Sequence, residues 1–249
     1  MNIKFYSICW SPELHIFCAS GICYIPPYWQ QYAMFTSPDG ITWTERTLPN
    51  ITKWCSICWS PELRMFYAIG YYSDKAVTSP DGITWTKRTL PNITKWCSIC
   101  WSSELHMFCV VGNNAATSPD GITWTQRTLP SVGNWRSICW SSELHMFCAI
   151  AYDTNKVVTS PDGITWTQRT LPTSSYWQSI CWSPELHMFY AVAYNSNKAV
   201  ISLDGITWAE RTLPLNDNLQ SICWSPELHM FYVVGNFDNS DIILVGIPE

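Results

Sequence analysis

The sequence predicts an all-β chain, a β-propeller of four-stranded antiparallel blades. Two repeated strings and the constancy of one spacing carry that prediction. SICW begins at Ser7, Ser56, Ser98, Ser137, Ser179 and Ser221, in steps of 49, 42, 39, 42 and 42 residues. S-[PL]-D-G-I-T-W begins at Ser37, Ser79, Ser118, Ser160 and Ser202, always 19 residues before the next SICW. All length variation therefore falls in the other part of the repeat. A period of 42 is that of a four-stranded propeller blade.

The fifth repeat shows the elements in order. Residues 177–182 (WQSICW) form a β-rich run, strand a. Residues 183–186 (SPEL) read as a turn. Residues 187–194 (HMFYAVAY) are strand b, broken by Asn195-Ser196-Asn197; residues 199–202 are strand c. Asp204-Gly205 signals a two-residue type I′ hairpin turn. Residues 207–213 are strand d. Strands a and b are apolar throughout, as when both faces are covered. Strand d alternates (Trp43-Thr44-Glu45-Arg46-Thr47), as on an outer edge. No segment sustains a 3.6-residue period, which excludes helices.

Six a strands, six b strands and five c–d units are visible, and residues 241–245 (DIILV) supply a sixth c strand. No sixth d strand is present, and residues 1–6 align with the ordinary lead-in to strand a. The reading is six blades with the last incomplete; a five-bladed ring with a C-terminal extension is the alternative. The chain reads as one domain, residues 1–249, with repeats 7–55, 56–97, 98–136, 137–178, 179–220 and 221–249. The missing strand leaves an edge open to self-association.

Composition narrows the function. Apolar residues are 47%, aromatics 15% and charged residues 13%, with a formal charge of −5. An aromatic-rich chain is not disordered, and a net acidic one lacks the basic surface of a nucleic-acid binder. No apolar run approaches the ~18 residues of a membrane span. The first ten residues lack the features of a secretory signal.

SPDGITW resembles the Asp-box of BNR (sialidase-type) repeats, S-x-D-x-G-x-T-W, with one residue fewer between Asp and Gly. The resemblance covers five of the six repeats and implies a propeller with the box in each c–d turn. It also implies, for a hydrolase, an arginine cluster at the central mouth and a Tyr–Glu pair. Arg46, Arg88, Arg127, Arg169 and Arg211 instead recur one per blade on strand d and cannot converge. A sialidase-type hydrolase is therefore not expected.

A residue that performs one reaction is usually unique, whereas one repeated in every blade holds the blade together. Asp39, Asp81, Asp120, Asp162 and Asp204, and the turn acids Glu13, Glu62, Glu104, Glu143, Glu185 and Glu227, are repeated. Both sets are expected to accept backbone N–H groups in tight turns. His15, His106, His145, His187 and His229 share one repeat position, which Arg64 fills in the second blade, so no metal set is expected. The pairs Cys55/Cys58 and Cys97/Cys100 look like C-x-x-C motifs, but i and i+3 on a strand point to opposite faces. Unbridged buried thiols fit a reducing, cytoplasmic setting. No cofactor and no metal is expected.

Variation concentrates in the b–c and d–a loops, which share one side of each blade. They include residues 22–32 (ICYIPPYWQQY, holding Trp29), 70–74 (with Tyr71 and Tyr72), 152–155 (with Tyr152), 173–176 (with Tyr176) and 194–197 (with Tyr194). Two residues before SICW stand Phe5, Trp54, Trp96, Trp135, Trp177 and Leu219. Trp54, Trp96, Trp135 and Trp177 are either an aromatic ring for sugars or blade-to-blade core. The expectation is a non-catalytic binding module, not an enzyme, with glycans or proteins as partners through this face. The alternative is a scaffold from recent blade amplification, or design, with no refined ligand.

Overall fold

The computed structural model describes residues 2–25, 29–237 and 240–246. Regular structure among them is β-strand, and no helix is present that could cross a membrane. The chain divides into two compact units, Met1–Arg127 and Thr128–Glu249.

The first unit holds three four-stranded antiparallel sheets, each in simple sequence order. They are β1 (Asn2–Ser11), β2 (Ile16–Ile25), β3 (Trp29–Ser37) and β4 (Thr44–Arg46); β5 (Trp54–Ser60), β6 (Met65–Gly70), β7 (Lys75–Ser79) and β8 (Thr86–Thr89); and β9 (Trp96–Ser102), β10 (Met107–Gly112), β11 (Ala115–Ser118) and β12 (Thr125–Arg127). Each set is one blade, a to d. The first-blade insertion lengthens strands b and c, with Ile25 opposite Trp29, where an irregular loop was expected.

In the second unit the ladder is continuous: β13 (Trp135–Ser141), β14 (Met146–Ser160), β15 (Thr167–Ser183), β16 (Met188–Ser202), β17 (Ala209–Ser225), β18 (Met230–Phe237) and β19 (Ser240–Gly246). β14 and β16 carry strands b and c together, and β15 and β17 join a d strand to the next a strand. The b–c loops stay extended and pair with the d–a segments, Tyr152 opposite Tyr176 and Tyr194 opposite Asn218. The sixth c strand is present as β19, and no fourth strand follows it among the described residues.

Every strand a contains a β-bulge. The register steps from Trp54 to Ser56 while its partner strand steps only from Gly70 to Ile69, leaving Cys55 as the extra residue. Tyr6, Cys97, Arg136, Gln178 and Gln220 occupy the same place. A bulge inverts the side-chain alternation beyond it. Cys55 and Cys58 consequently pack against the same core, that of the third blade, and not on opposite faces as simple alternation predicts. Trp54, Ile57 and Trp59 pack the other way, against the first blade.

Strand b is buried along almost its whole length, as the apolar runs predict. Its Phe meets the Trp of SICW in each blade, as in Trp59–Phe66 at 4.6 Å and Trp182–Phe189 at 4.7 Å between centroids. Blades are also stitched at strand a. The Ile57 N–H donates to Ser7 Oγ of the preceding blade at 3.1 Å, and Ile99 to Ser56, Ile180 to Ser137 and Ile222 to Ser179 at 3.2 Å. Strand d is largely exposed; two of its arginines reach back to strand c, where Arg46 Nε donates to Thr36 Oγ1 at 2.7 Å and Arg127 Nε to Thr117 Oγ1 at 2.9 Å, whereas Nε of Arg88 and Arg169 finds no partner.

The a–b turn explains the shared histidine position. His15, Arg64, His106, His145, His187 and His229 all have φ between 48 and 52°. That left-handed region excludes β-branched residues and admits His more readily than most. The backbone acceptor expected of the turn glutamates is supplied by serine. Ser60 Oγ takes the Leu63 N–H at 3.2 Å, and the equivalent serines do the same. Glutamate is thereby left to reach the next blade, where Glu13 accepts from Trp59 Nε1 at 2.8 Å and Glu62 from Trp101 Nε1 at 2.6 Å.

Candidate functional site

The two sides of each blade differ chemically. On the a–b/c–d side, the Asp-box acids are saturated by their own turns. Asp39 Oδ1 accepts from the N–H of Ile41 at 2.8 Å, the N–H of Thr42 at 2.7 Å and Ser37 Oγ at 2.8 Å. Asp81, Asp120, Asp162 and Asp204 repeat the arrangement. The Thr42 and Ile41 N–H groups hold the Asp39 carboxyl down at about 2. At Asp81 burial alone would raise the carboxyl, but the Thr84 and Ile83 N–H groups outweigh it and the net shift is downward. Acids so committed are poor proton carriers near neutral pH.

This geometry corrects the expected type I′ turn. Only the glycine is left-handed, at φ 69–73°, and the aspartate is not. Strand c ends at Ser37 and strand d begins at Thr44, so the connection is a longer loop organised by Ser and Asp side chains. A cleft of about 240 Å³ on this side is lined by Ile16, Thr36, Arg46, Asp81 and Ile83. Its charged groups are already engaged, Asp81 by its turn and Arg46 by Thr36.

The sugar-ring reading of the tryptophans does not hold. Trp54, Trp96, Trp135 and Trp177 are fully buried, and Leu219 in the sixth repeat is equally buried. The bulge turns these side chains into the space between blades, so no indole face is left for a ligand. Trp96 Nε1 donates to the Asn92 carbonyl at 3.2 Å. Nε1 of Trp54, Trp135 and Trp177 finds no partner.

The tyrosines do lie at accessible positions. Tyr72 is exposed, with φ 49°, and stands edge-on to half-buried Tyr71 at 4.8 Å. Tyr152 and Tyr176 lie 5.0 Å apart, tilted by 31°. Tyr194 is half-buried. The Trp29 side chain lies outside the described residues.

The bulge residues are the part of this side that sequence reasoning missed. In the second unit, Arg136 Nε donates to Gln178 Oε1 at 3.0 Å, and Gln178 Nε2 donates to Gln220 Oε1 at 3.3 Å. Three consecutive strands a thus present a hydrogen-bonded polar row. It borders the tyrosines: burial, then the Tyr176 hydroxyl, holds the Tyr152 phenol up, while Arg136 pulls it down. The signal was Arg136 itself, the only arginine outside the two repeated positions.

In the first unit the same region is basic. Lys53 Nζ stands 5.0 Å from the ring centroids of both Tyr6 and Tyr71, and Lys95 Nζ stands 5.6 Å from that of Tyr71. None of the twelve cysteines is disulfide-bonded. No cluster of His, Cys, Asp or Glu able to hold a metal occurs among the described residues.

No protein-family model matches the chain, and no curated protein is similar to it in sequence. Solved structures share its fold. Virginiamycin B lyase from Staphylococcus aureus superposes with a TM-score of 0.73 at 12% identity, over 93% of this chain and 95% of that one. A catalytically inactive variant of that lyase with quinupristin gives 0.78 at 16% identity, over 98% and 84%. YCF48 bound to D1 peptide gives 0.67 at 15% identity, over 93% and 76%. The expectation that the chain is not an enzyme is thereby corrected: the same fold serves a lyase. At these identities the likeness establishes architecture alone: an all-β propeller of four-stranded antiparallel blades.

Proposed function

We propose that the chain binds peptide segments on the b–c/d–a side of its blades, over the row Arg136–Gln178–Gln220 and its flanking tyrosines. The observation that carries this is the row itself. A guanidinium and two primary amides, linked head to tail, present donors and acceptors at the spacing of successive blades. That inventory matches the alternating carbonyl and N–H groups of an extended backbone. Tyr152 and Tyr176 add rigid apolar surface with a polar tip, the combination favoured at protein-binding surfaces. Among the fold's relatives, YCF48 was solved with a peptide, which supports the reading. A glycan ligand has lost the buried tryptophans that recommended it.

The test is selection of binders from a displayed peptide library, followed by calorimetry on the chain and on Arg136→Ala/Gln178→Ala. Mass spectrometry of the incubated peptide registers any turnover. Saturable binding that the double variant loses supports the proposal. Failure to select any peptide, or binding indifferent to the variant, overturns it.

Three further readings belong with this one. We take the SPDGITW turns as a shortened form of the Asp-box, because serine and aspartate organise the c–d connection. We take residues 1–249 as one propeller domain, because the boundary between the compact units falls between the third and fourth blades. A reducing compartment fits the unbridged cysteines, and β19, the last strand of its sheet, is where a second copy would pair.

A further inference from the structure

The residue three places before SICW is Lys4, Lys53 and Lys95 in the first three repeats and Asn134, Tyr176 and Asn218 in the last three. A repeat so regular elsewhere divides by charge at this position, and the division coincides with the two units. Two of the three lysines converge on one ring, with Lys53 Nζ 5.0 Å and Lys95 Nζ 5.6 Å from the Tyr71 centroid. Backbone geometry fixes them there. The Tyr71 N–H donates to the Lys53 carbonyl at 2.8 Å, and the Asn113 N–H to the Lys95 carbonyl at 2.9 Å. Gly112 permits the second approach, since a Cβ there would stand 1.7 Å from the Lys95 oxygen.

Two ammonium groups on one ring repel each other, and neither makes a salt bridge to a carboxylate among the described residues. Ring quadrupoles offset part of that repulsion, and an anion would remove the rest. We propose that Lys53 and Lys95, positioned by Tyr71, form a site within the first unit for the carboxylates of an acidic peptide segment. It rests on the reading of the b–c/d–a side as a peptide-binding surface and goes beyond the row in the second unit. A nucleic acid fits less well. Stacking of bases needs open aromatic faces, whereas Tyr71 already carries both ammonium groups and meets Tyr72 edge-on. The net charge of −5 also opposes a polyanion, and its long-range repulsion would exceed that on a short segment.

The experiment is fluorescence anisotropy with a labelled ten-residue Glu/Gly peptide, its Gln/Gly counterpart and an oligothymidylate, at low and physiological salt. The variants are Lys53→Gln/Lys95→Gln, Arg136→Ala/Gln178→Ala and Lys87→Gln, the last on exposed strand β8, each checked for an unchanged melting curve. The expected result is saturable binding of the Glu peptide, weakened by salt and about tenfold weaker in the double lysine variant, as two partly exposed ion pairs would give. Lys87→Gln should bind as the parent does. Equal binding of the Gln peptide, an unaffected double lysine variant, or preference for the oligothymidylate would overturn the proposal. Loss of Glu-peptide binding in the Arg136 variant alone would leave the peptide-binding reading standing and remove this lysine site.

Discussion

Replacing Trp177 by leucine separates a core role from a ligand role. Trp177 is fully buried among Leu171, Ile180, Phe189 and Trp208. Truncating such a side chain to alanine costs about 3–5 kcal/mol. Leucine keeps much of the packing, and Leu219 fills the same position in the sixth repeat. The substitution also removes a buried indole N–H without a partner, which offsets about 1 kcal/mol. The net loss is therefore about 1–2 kcal/mol, or roughly 3–6 °C in melting temperature for a chain of this size. Trp96→Leu should cost about 1 kcal/mol more, because the Asn92 carbonyl loses its donor. Thermal unfolding by circular dichroism, beside calorimetry with a peptide selected on the parent chain, gives both readouts. Either leucine variant should melt earlier and bind unchanged once folded, whereas Arg136→Ala/Gln178→Ala should melt as the parent and lose the peptide. A Trp177→Leu protein of parental stability that no longer binds would refute the core assignment.

Other consequences are open to direct measurement. Tyr67→Phe leaves the Trp124 Nε1 donor, which meets the Tyr67 hydroxyl at 2.9 Å, without its partner; it should cost about 1–3 kcal/mol in denaturant unfolding, and an unchanged midpoint would refute the bond's role. The Asp-box carboxyls titrate lower in the fold than their ordinary 3.8, to about 2 for Asp39. A lowered acid stabilises above its unfolded value and ceases to as pH falls through its folded value. Acid unfolding should therefore steepen between about pH 4 and 2, and Asp39→Asn/Asp81→Asn should flatten it. Cys223 is exposed, whereas loss of hydration and the adjacent Cys139 thiol push buried Cys148 well up. Iodoacetamide should modify Cys223 first in the native chain, with Cys148 reacting only on unfolding; early labelling of Cys148 would contradict its burial.

The fold was legible because repetition exposes register. A constant 19-residue step from SPDGITW to SICW marks the d–a passage, and apolar runs mark strands covered on both faces. The bulge was not legible. No residue type signals it, since the extra position holds Tyr6, Cys55, Cys97, Arg136, Gln178 and Gln220 in turn, and its cause is a register step between paired strands. Missing it misplaced Cys55 relative to Cys58 and turned four buried tryptophans into a candidate sugar platform. The turn glutamates were misread for a related reason: serine already supplies the acceptor that the turn needs. Tyr71, Tyr152 and Tyr176 were singled out because loops carry variation on a fixed frame. The lysines beside Tyr71 were overlooked because net charge conceals a local excess.

Two positions per blade vary freely in residue type: the one three places before SICW and the bulged one immediately before it. Substitutions at exposed sites usually alter stability by less than about 0.5 kcal/mol. Where these positions lie outside the core, they can differ in charge between otherwise uniform repeats at little cost in stability. Lys53 and Lys95 in the first unit and Arg136 in the second are such differences. Exchanging Asn134 for lysine should then cost little stability while strengthening acidic-peptide binding. A large loss of stability in Asn134→Lys would show that the position is structural after all, and that the charge division between repeats reflects packing.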